Sequence, residues 1–292
     1  MDERITALPC WVGQVEAKPL SGGLSNEIWW VRDGVGQHVV RLGRDYPFHH
    51  VFRNREAMVA RAAARAGFGP EVRYTAPGVM VTAFVEARTW GAEDVAAEPA
   101  RVARLLRDFH DRMGCEVEGA AFLFWVFHVI RDYGRTLVEA RSDFAARVPE
   151  WLALAARLES MQVPLPIVFG HHDLLPANFL DDGQKLWLID FEYAGFGTAM
   201  FDLAGAASNA GMTSEAAEDL LGTYFGYVPD VDLRRAFDAM QCASLLREAM
   251  WAMISALYMA APGVDYPTYA RDNLAKLAHS LSLFQSRHGK LS

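Results

Sequence analysis

Cysteine is nearly absent. The three that occur, Cys10, Cys115 and Cys242, are odd in number and widely spaced along 292 residues, which fits neither a disulfide framework nor a CxxC metal knuckle and points to reduced thiols. Long apolar runs are missing too. The most apolar stretches, 120–130 and 249–261, fall short of the ~20 residues that span a bilayer and read as buried helix segments, so no membrane insertion is expected. The first residues carry Asp2, Glu3 and Arg4 and no uninterrupted apolar core of the signal-peptide kind, which makes the cytoplasm the expected location. Positive charge is in deficit. With 28 Lys and Arg against 36 Asp and Glu, the net charge of −8 argues against a general binder of nucleic acid or anionic membrane. Internal repeats and low-complexity segments are lacking as well.

What is present is apolar mass, 52% of the chain, enough to fill the cores of two ordinary lobes. Between 15 and 42, β-type runs alternate with turn signals. They are a strand into Leu20, the Ser21-Gly22-Gly23 turn, a strand over 28–32, the Asp33-Gly34 hairpin signal and a strand over 38–42. A helix is expected over 54–66, closed by Gly67, Gly69 and Pro70. Strands over 72–74 and 79–84 flank Ala76-Pro77-Gly78, so the first ~90 residues form an α+β unit of five strands and one helix. Beyond Trp90 amphipathic helices take over, at 99–113, 122–144 and 150–162. A β-like island interrupts them at 167–170, 178–180 and 186–189, around Asp181-Asp182-Gly183. Helices resume from about Phe201, broken at Pro229 and at Ala261-Pro262-Gly263. The expectation is an α+β, two-lobe fold, with a small antiparallel-sheet lobe over 1–87 and a larger, mostly helical lobe over 88–292.

The island carries the chemistry. It contains H-x-D-x-x-x-x-N at His171, Asp173 and Asn178, followed by an apolar strand that ends at Asp190. Phosphoryl transfer needs one carboxylate to receive or orient the proton of an acceptor hydroxyl, and oxygen ligands to hold Mg²⁺ across a triphosphate. A loop sets Asp173 and Asn178 on one side of a cleft, and the hairpin returns Asp190 beside Asn178. The short D-x-x-x-x-N pattern also occurs in capped turns, so its weight comes from His171 before it and Ile189-Asp190 after it. A second reading takes His171, His172, Asp173 and Asp190 as first-row metal ligands of a hydrolase. In the kinase reading His171 is structural, donating to a backbone carbonyl, and His172 is a variable, partly exposed position. Ser21, Gly22, Gly23, Ser25 and Asn26 suit a loop over phosphates, although G-x-G-x-x-G is lacking. Arg41 lies between apolar residues on a strand, where an unpaired charge is costly. It is the candidate phosphate cation, with Glu56 as its partner.

With these residues in place, the chain resembles the choline/ethanolamine kinases, within the aminoglycoside-phosphotransferase group of protein-kinase-like folds. The resemblance rests on L-S-G-G-L-S-N at 20–26, V-V-R-L at 39–42, Glu56 with G-F-G-P at 67–70, and Phe109-His110. It continues through D-L-L-P-A-N at 173–178, I-D-F-E-Y-A-G at 189–195 and F-D-L-A at 201–204. It implies that Asp173 is the catalytic base, that Asn178 and Asp190 are Mg²⁺ ligands, that Arg41 replaces the usual lysine, and that Asp202 buttresses the loop as a structural carboxylate. ATP is then the co-substrate, in a cleft near 82–90, and a small-molecule amino-alcohol is the other partner, with the enzyme a monomer or homodimer. The family holds its acceptor with rings and carboxylates, because a quaternary ammonium has no N–H and is recognised by π-faces. Tyr193, Trp251, Tyr266 and Tyr269 fall at matching or nearby positions, although Trp251 also reads as helix core. Two departures concern the acceptor: Ile254 stands where eukaryotic choline kinases carry a second tryptophan, and Asn209 where they carry an acid. A kinase for an aminoglycoside- or thiamine-like alcohol would share every ATP-side residue. A pseudokinase scaffold is disfavoured by the presence of Asp173, Asn178 and Asp190 together. Elsewhere, Arg101, Arg104 and Arg107 read as a solvated helix face, His49 and His50 as an exposed loop pair, and His110 as a hydrogen-bonded core histidine.

Overall fold

In the computed structural model, which describes residues 2–20, 26–120, 122–259 and 263–290, a short helix α1 (Glu3–Thr6) precedes strands β1 (Glu16–Leu20), β2 (Glu27–Arg32) and β3 (Gln37–Leu42). The β2–β3 turn is closed by Asp33, whose Oδ1 accepts from the backbone N–H of Val35 (3.0 Å) and Gly36 (3.1 Å). Such a side-chain turn is what Asp supplies at this position. Helix α2 (Arg53–Ala66) follows and ends at Gly67, whose φ of 81° lets the N–H of Phe68 return to the Ala63 carbonyl. Strands β4 (Val72–Ala76) and β5 (Val79–Ala83) complete an antiparallel sheet in the order β1-β2-β3-β5-β4. One face packs Val31, Val40 and Val81 against Ile5 of α1. Above the other lies α2, whose Val59, Ala62 and Ala63 join the main core.

The second part begins with β6 (Arg88–Thr89), α3 (Ala92–Ala97), α4 (Pro99–Glu116), α5 (Val126–Glu139) and α6 (Val148–Glu159). Strands β7 (Ile167–Gly170), β8 (Phe179–Asp181), β9 (Leu186–Leu188) and β10 (Gly195–Thr198) make up the island. It forms two small sheets, β10-β7 and β6-β8-β9, so the chain leaving the first sheet is hydrogen-bonded directly to the end of the D-x-x-x-x-N loop. Helices α7 (Ala199–Ala210), α8 (Ser214–Phe225), α9 (Val231–Tyr258) and α10 (Tyr266–His288) close the chain. Nearly every residue of α9 from Leu233 to Ser255 is buried, as expected of a helix that is apolar all round and runs through a core. No helix of the described residues is long and apolar enough to cross a membrane.

The α+β, two-lobe arrangement expected from the sequence is the one observed. The helix expected over 122–144 is shorter. Phe122 to Phe124 run alongside β10 instead, with Phe124 N–H on the Phe196 carbonyl and Phe196 N–H on the Phe122 carbonyl, both 2.8 Å. Those backbone groups are therefore not available to a helix. At the other end α5 stops before Arg141, which turns the chain with a φ of 50°.

Candidate active site

The loop after β7 is shaped by one buried carboxylate. Asp202, in the first turn of α7, accepts the backbone N–H of His171 on Oδ2 and that of His172 on Oδ1, both at 2.7 Å, and the Nε2–H of His110 at 2.9 Å. Tyr224 stands at the far nitrogen of His110, 2.8 Å away. Burial works against the charge, yet the His110 hydrogen bond and the neighbouring imidazoles hold the Asp202 carboxyl well below the usual carboxylate range. His171 then fixes the loop to the next strand. Its Nε2 is 2.9 Å from the Ile189 carbonyl and therefore carries the proton, while Nδ1 accepts from Asp173 N–H at 3.3 Å. Burial pushes this ring down, toward the neutral form that such bonding requires.

His172 is not the partly exposed position expected from the sequence. It is 2% exposed, has a φ of 62° and stacks on Phe124 with ring centres 4.4 Å apart. Its ring fills a slot left by two glycines: a Cβ on Gly170 or Gly197 would stand 2.4 or 3.0 Å from Nε2. Burial pushes His172 down to about 4. Among the described residues no group of three or more His, Cys, Asp and Glu is arranged to hold a metal ion. Both nitrogens of His171 are engaged and His172 is sealed in, so the hydrolase reading has no metal-binding geometry behind it.

Asp173 lies in the bend that follows. Burial first, and then the Asp190 carboxylate, push its carboxyl well above the usual range, while Arg247 pulls the other way. Asn178 holds the bend together, its Nδ2 donating to the Asp173 carbonyl at 2.7 Å. Asp190 follows β9 with a φ of 68°, a left-handed conformation that Asp tolerates better than most residues, and its Oδ1 is 2.9 Å from Arg41 Nη2. Arg41 also pairs with Glu56 on α2 through Nη1 at 2.5 Å. Glu56 in turn takes Arg53 at 2.7 Å, and Arg53 takes Glu192 at 2.8 Å. The Arg41–Glu56 partnership expected from sequence is thus part of a longer chain of alternating charge that ties the first sheet and α2 to the segment after β9. In it Arg41 and Glu56 are buried or nearly so, and removing one partner of such a chain typically costs ~3–5 kcal/mol.

Arg41, Asn178 and Asp190 line a cavity of about 360 Å³ whose walls also include Val39, Met80, Phe84, Leu180 and Ile189. It runs along 82–89, where the cleft was expected, and its mostly apolar walls with a few polar and charged groups among them suit a planar base carrying a charged tail. The donor set also fits Mg²⁺. With the Asn178 amide nitrogen turned to Asp173, its oxygen sits on the opposite branch. Arg41 occupies only one Asp190 oxygen, and hard oxygens of this kind, few in number, are what Mg²⁺ takes from a protein when phosphates supply the rest. Asn26 lines an adjoining pocket with Arg41 and Arg53. Ser21, Gly22, Gly23 and Ser25 lie outside the described residues.

The four acceptor-side aromatics do come together, around Trp251. Trp251 donates Nε1–H to Tyr193 Oη at 2.9 Å, stacks on His49 at 5.2 Å, and meets the edges of Tyr266 and Tyr269 at 6.0 and 6.1 Å. His49 is buried between Tyr133 and Ser255, so the exposed loop pair expected at His49 and His50 is corrected to a core histidine beside a half-buried one paired with Asp132. Arg101 is likewise tied to Asp181 at 2.7 Å rather than free on a solvated face. Sequence reasoning passed over Arg53, Glu192, Arg247 and Glu248. The last two stand one turn before Trp251, and a charged pair inside an apolar helix was the signal available.

The model of the phosphotransferase enzyme family matches residues 16–249. A choline/ethanolamine kinase family protein of Mesorhizobium loti has a crystal structure that superposes with a TM-score of 0.76 at 28% identity, over 99% of this chain and 96% of that one. Protein LicA of Haemophilus influenzae is 26% identical over 208 residues, 70% of this chain and 61% of LicA. An Arabidopsis thaliana protein named "Probable ethanolamine kinase" is 28% identical over 204 residues, 63% of this chain and 53% of that protein. The chain thus spans between half and two thirds of the length of these two relatives. The family model covers most of the chain, and the chain belongs to the phosphotransferase enzyme family.

Proposed function

We propose that this protein transfers the γ-phosphoryl group of ATP, with Mg²⁺, to the hydroxyl of a small amino-alcohol, choline and ethanolamine being the acceptors that the names of its relatives suggest. The observation that carries the reading is that Asn178, Asp190 and the doubly paired Arg41 line one largely apolar cavity, with Asn178 donating to the Asp173 carbonyl. The cavity walls take the base. Arg41, held in place by Glu56 and Asp190, neutralises phosphate charge, as the guanidinium fork can do without losing its proton. Asn178 and Asp190 would hold Mg²⁺, which when bound offsets charge on the phosphate oxygens. Asp173 orients the acceptor hydroxyl and takes its proton as the oxygen–phosphorus bond forms and the bond to the departing ADP oxygen breaks. Asp202, through His171 and His172, keeps Asp173 in position.

The test is acceptor-dependent ADP release with purified protein, Mg²⁺ and ATP, the product identified by mass, across choline, ethanolamine and an aminoglycoside. A phosphorylated amino-alcohol is expected. ADP release that no acceptor stimulates would sink the reading.

A further inference from the structure

Asp202 is not the only side chain of α7 that meets the loop carrying Asp173. Seven residues further on, Asn209 donates from Nδ2 to the backbone carbonyl of Leu174 at 3.2 Å. A carbonyl only accepts, so it is the amide nitrogen that faces it. Helix positions i, i+3 and i+7 lie on one face, and Asp202, Gly205 and Asn209 hold those positions on α7. Together with His172, Asp173 and Leu174 they line a pocket of about 10 Å³, which leaves room for one water-sized atom. The loop therefore lies against this face of α7 with almost no space between them, Gly205 offering no side chain to hold it off.

The two contacts match the polarity of the backbone on either side of Asp173. Before it the chain presents N–H groups, and the Asp202 carboxylate takes those of His171 and His172, each at 2.7 Å. After it the chain presents the Leu174 carbonyl, and the Asn209 amide supplies the donor. His172, with a φ of 62°, turns the chain in between. The Asp173 carboxyl has only a long contact of its own, 3.4 Å from Oδ2 to Asn178 Nδ2, so its direction is set mainly by the backbone that carries it.

Resting on the phosphotransfer reading above, we infer that Asn209 is a positioning residue of the reaction: with Asp202 it clamps the backbone on both sides of Asp173 and so sets where that carboxylate meets the acceptor hydroxyl. Asn209 acts through the Leu174 carbonyl and not by contact with the acceptor. A misplacement of about 1 Å between reacting groups costs as much as ~10²-fold in rate, so the loss of one arm of the clamp should show in kcat.

Three variants test this. Asn209→Leu keeps the approximate volume and removes the donor, Asn209→Asp keeps the shape and sets an acceptor against the carbonyl, and Asn209→Gln keeps the donor on a longer arm. With the best acceptor of the panel above, Asn209→Leu and Asn209→Asp should each lose ~10–100-fold in kcat while KM for the acceptor and for ATP change less than about twofold, and Asn209→Gln should recover part of the loss. Hydrogen–deuterium exchange over 171–174 should rise in Asn209→Leu with that of α7 unchanged, a pattern that general loosening of the helix would not give. A raised acceptor KM at unchanged kcat would make Asn209 an acceptor-binding residue and overturn the inference. Native kcat in both Asn209→Leu and Asn209→Asp overturns it too, whatever their melting temperatures, and leaves the phosphotransfer reading intact. A wild type that phosphorylates no acceptor removes that reading and the inference with it.

Discussion

Asp173 is the residue on which chemistry and stability pull in opposite directions. Its burial makes the ionised form costly, and ionisation is what a proton acceptor needs. Asp173→Asn should lower kcat by about 10²–10⁴-fold, the usual worth of a positioned base, with nucleotide affinity nearly unchanged. The same variant should melt at a higher temperature near neutral pH when metal and nucleotide are left out. The sign follows from the raised carboxyl: above it, the folded protein must carry a buried charge that the unfolded chain carries freely, and the amide removes that burden. Near-native turnover, or a lower melting point, would count against the assignment. Trp251 makes a contrasting case. Its ring is 6% exposed and packed on every side mentioned above, so Trp251→Ala should cost ~3–5 kcal/mol in urea denaturation. A variant of native stability with a raised KM for acceptor alone would favour the cage reading instead.

At the scale of elements, α7 reaches the loop through Asp202, and α2 reaches Asp190 indirectly, through Glu56 and the Arg41 of β3 that it holds. Asp202→Asn keeps an oxygen but turns an N–H₂ group toward the donors of the loop, and should cost several kcal/mol, about what a broken buried pair costs. The depressed carboxyl of Asp202 contributes stability that is fully present above the unfolded value of ~4 and drains away as pH falls toward its folded one, so the wild type should lose stability on acidification and Asp202→Asn should lose less. Parallel acid melts would show it; identical slopes would not fit. On α2, Glu56→Gln should raise KM for ATP more than it lowers kcat, because it loosens Arg41 without touching the acceptor side. How far the elements could be read from the sequence depended on where their hydrogen bonds go. The first sheet and α2 announce themselves through local turns, Asp33-Gly34 and Gly67, whose geometry is set by neighbours in the chain. Asp173, Asn178 and Asp190 were legible because their spacing is fixed by one loop and one hairpin. Strand β10 was not, since Gly195 to Thr198 shows no alternation and is a strand only because β7 and Phe122 to Phe124 lie against it. The burial of His49 and His172 was hidden for the same reason: their partners, Ser255 and Phe124, are far away in sequence.

The molecule as a whole is stitched across its two parts. Val59, Ala62, Ala63 and Phe68 share a core with Phe109 and Leu188, and the charge chain from Asp190 to Glu192 runs through both. A single calorimetric transition is therefore expected, and a non-hydrolysable ATP analogue at about 100 times its Kd should raise it by several degrees as one unit, from ~2.7 kcal/mol of binding linkage at ~2–4 °C per kcal/mol. Two transitions, with only one moved by nucleotide, would contradict that coupling. A practical consequence follows from Arg41. Among the described residues, neither the cavity proposed for the nucleotide nor the pocket adjoining it at Asn26 includes a lysine, and Lys18 is engaged outside, with Glu16 and over Trp30. Affinity reagents that deliver an acyl phosphate to an amine beside the triphosphate should therefore leave this protein unlabelled at that position, and activity-based proteomics would pass it by, whereas a dicarbonyl that condenses with guanidinium groups should find it.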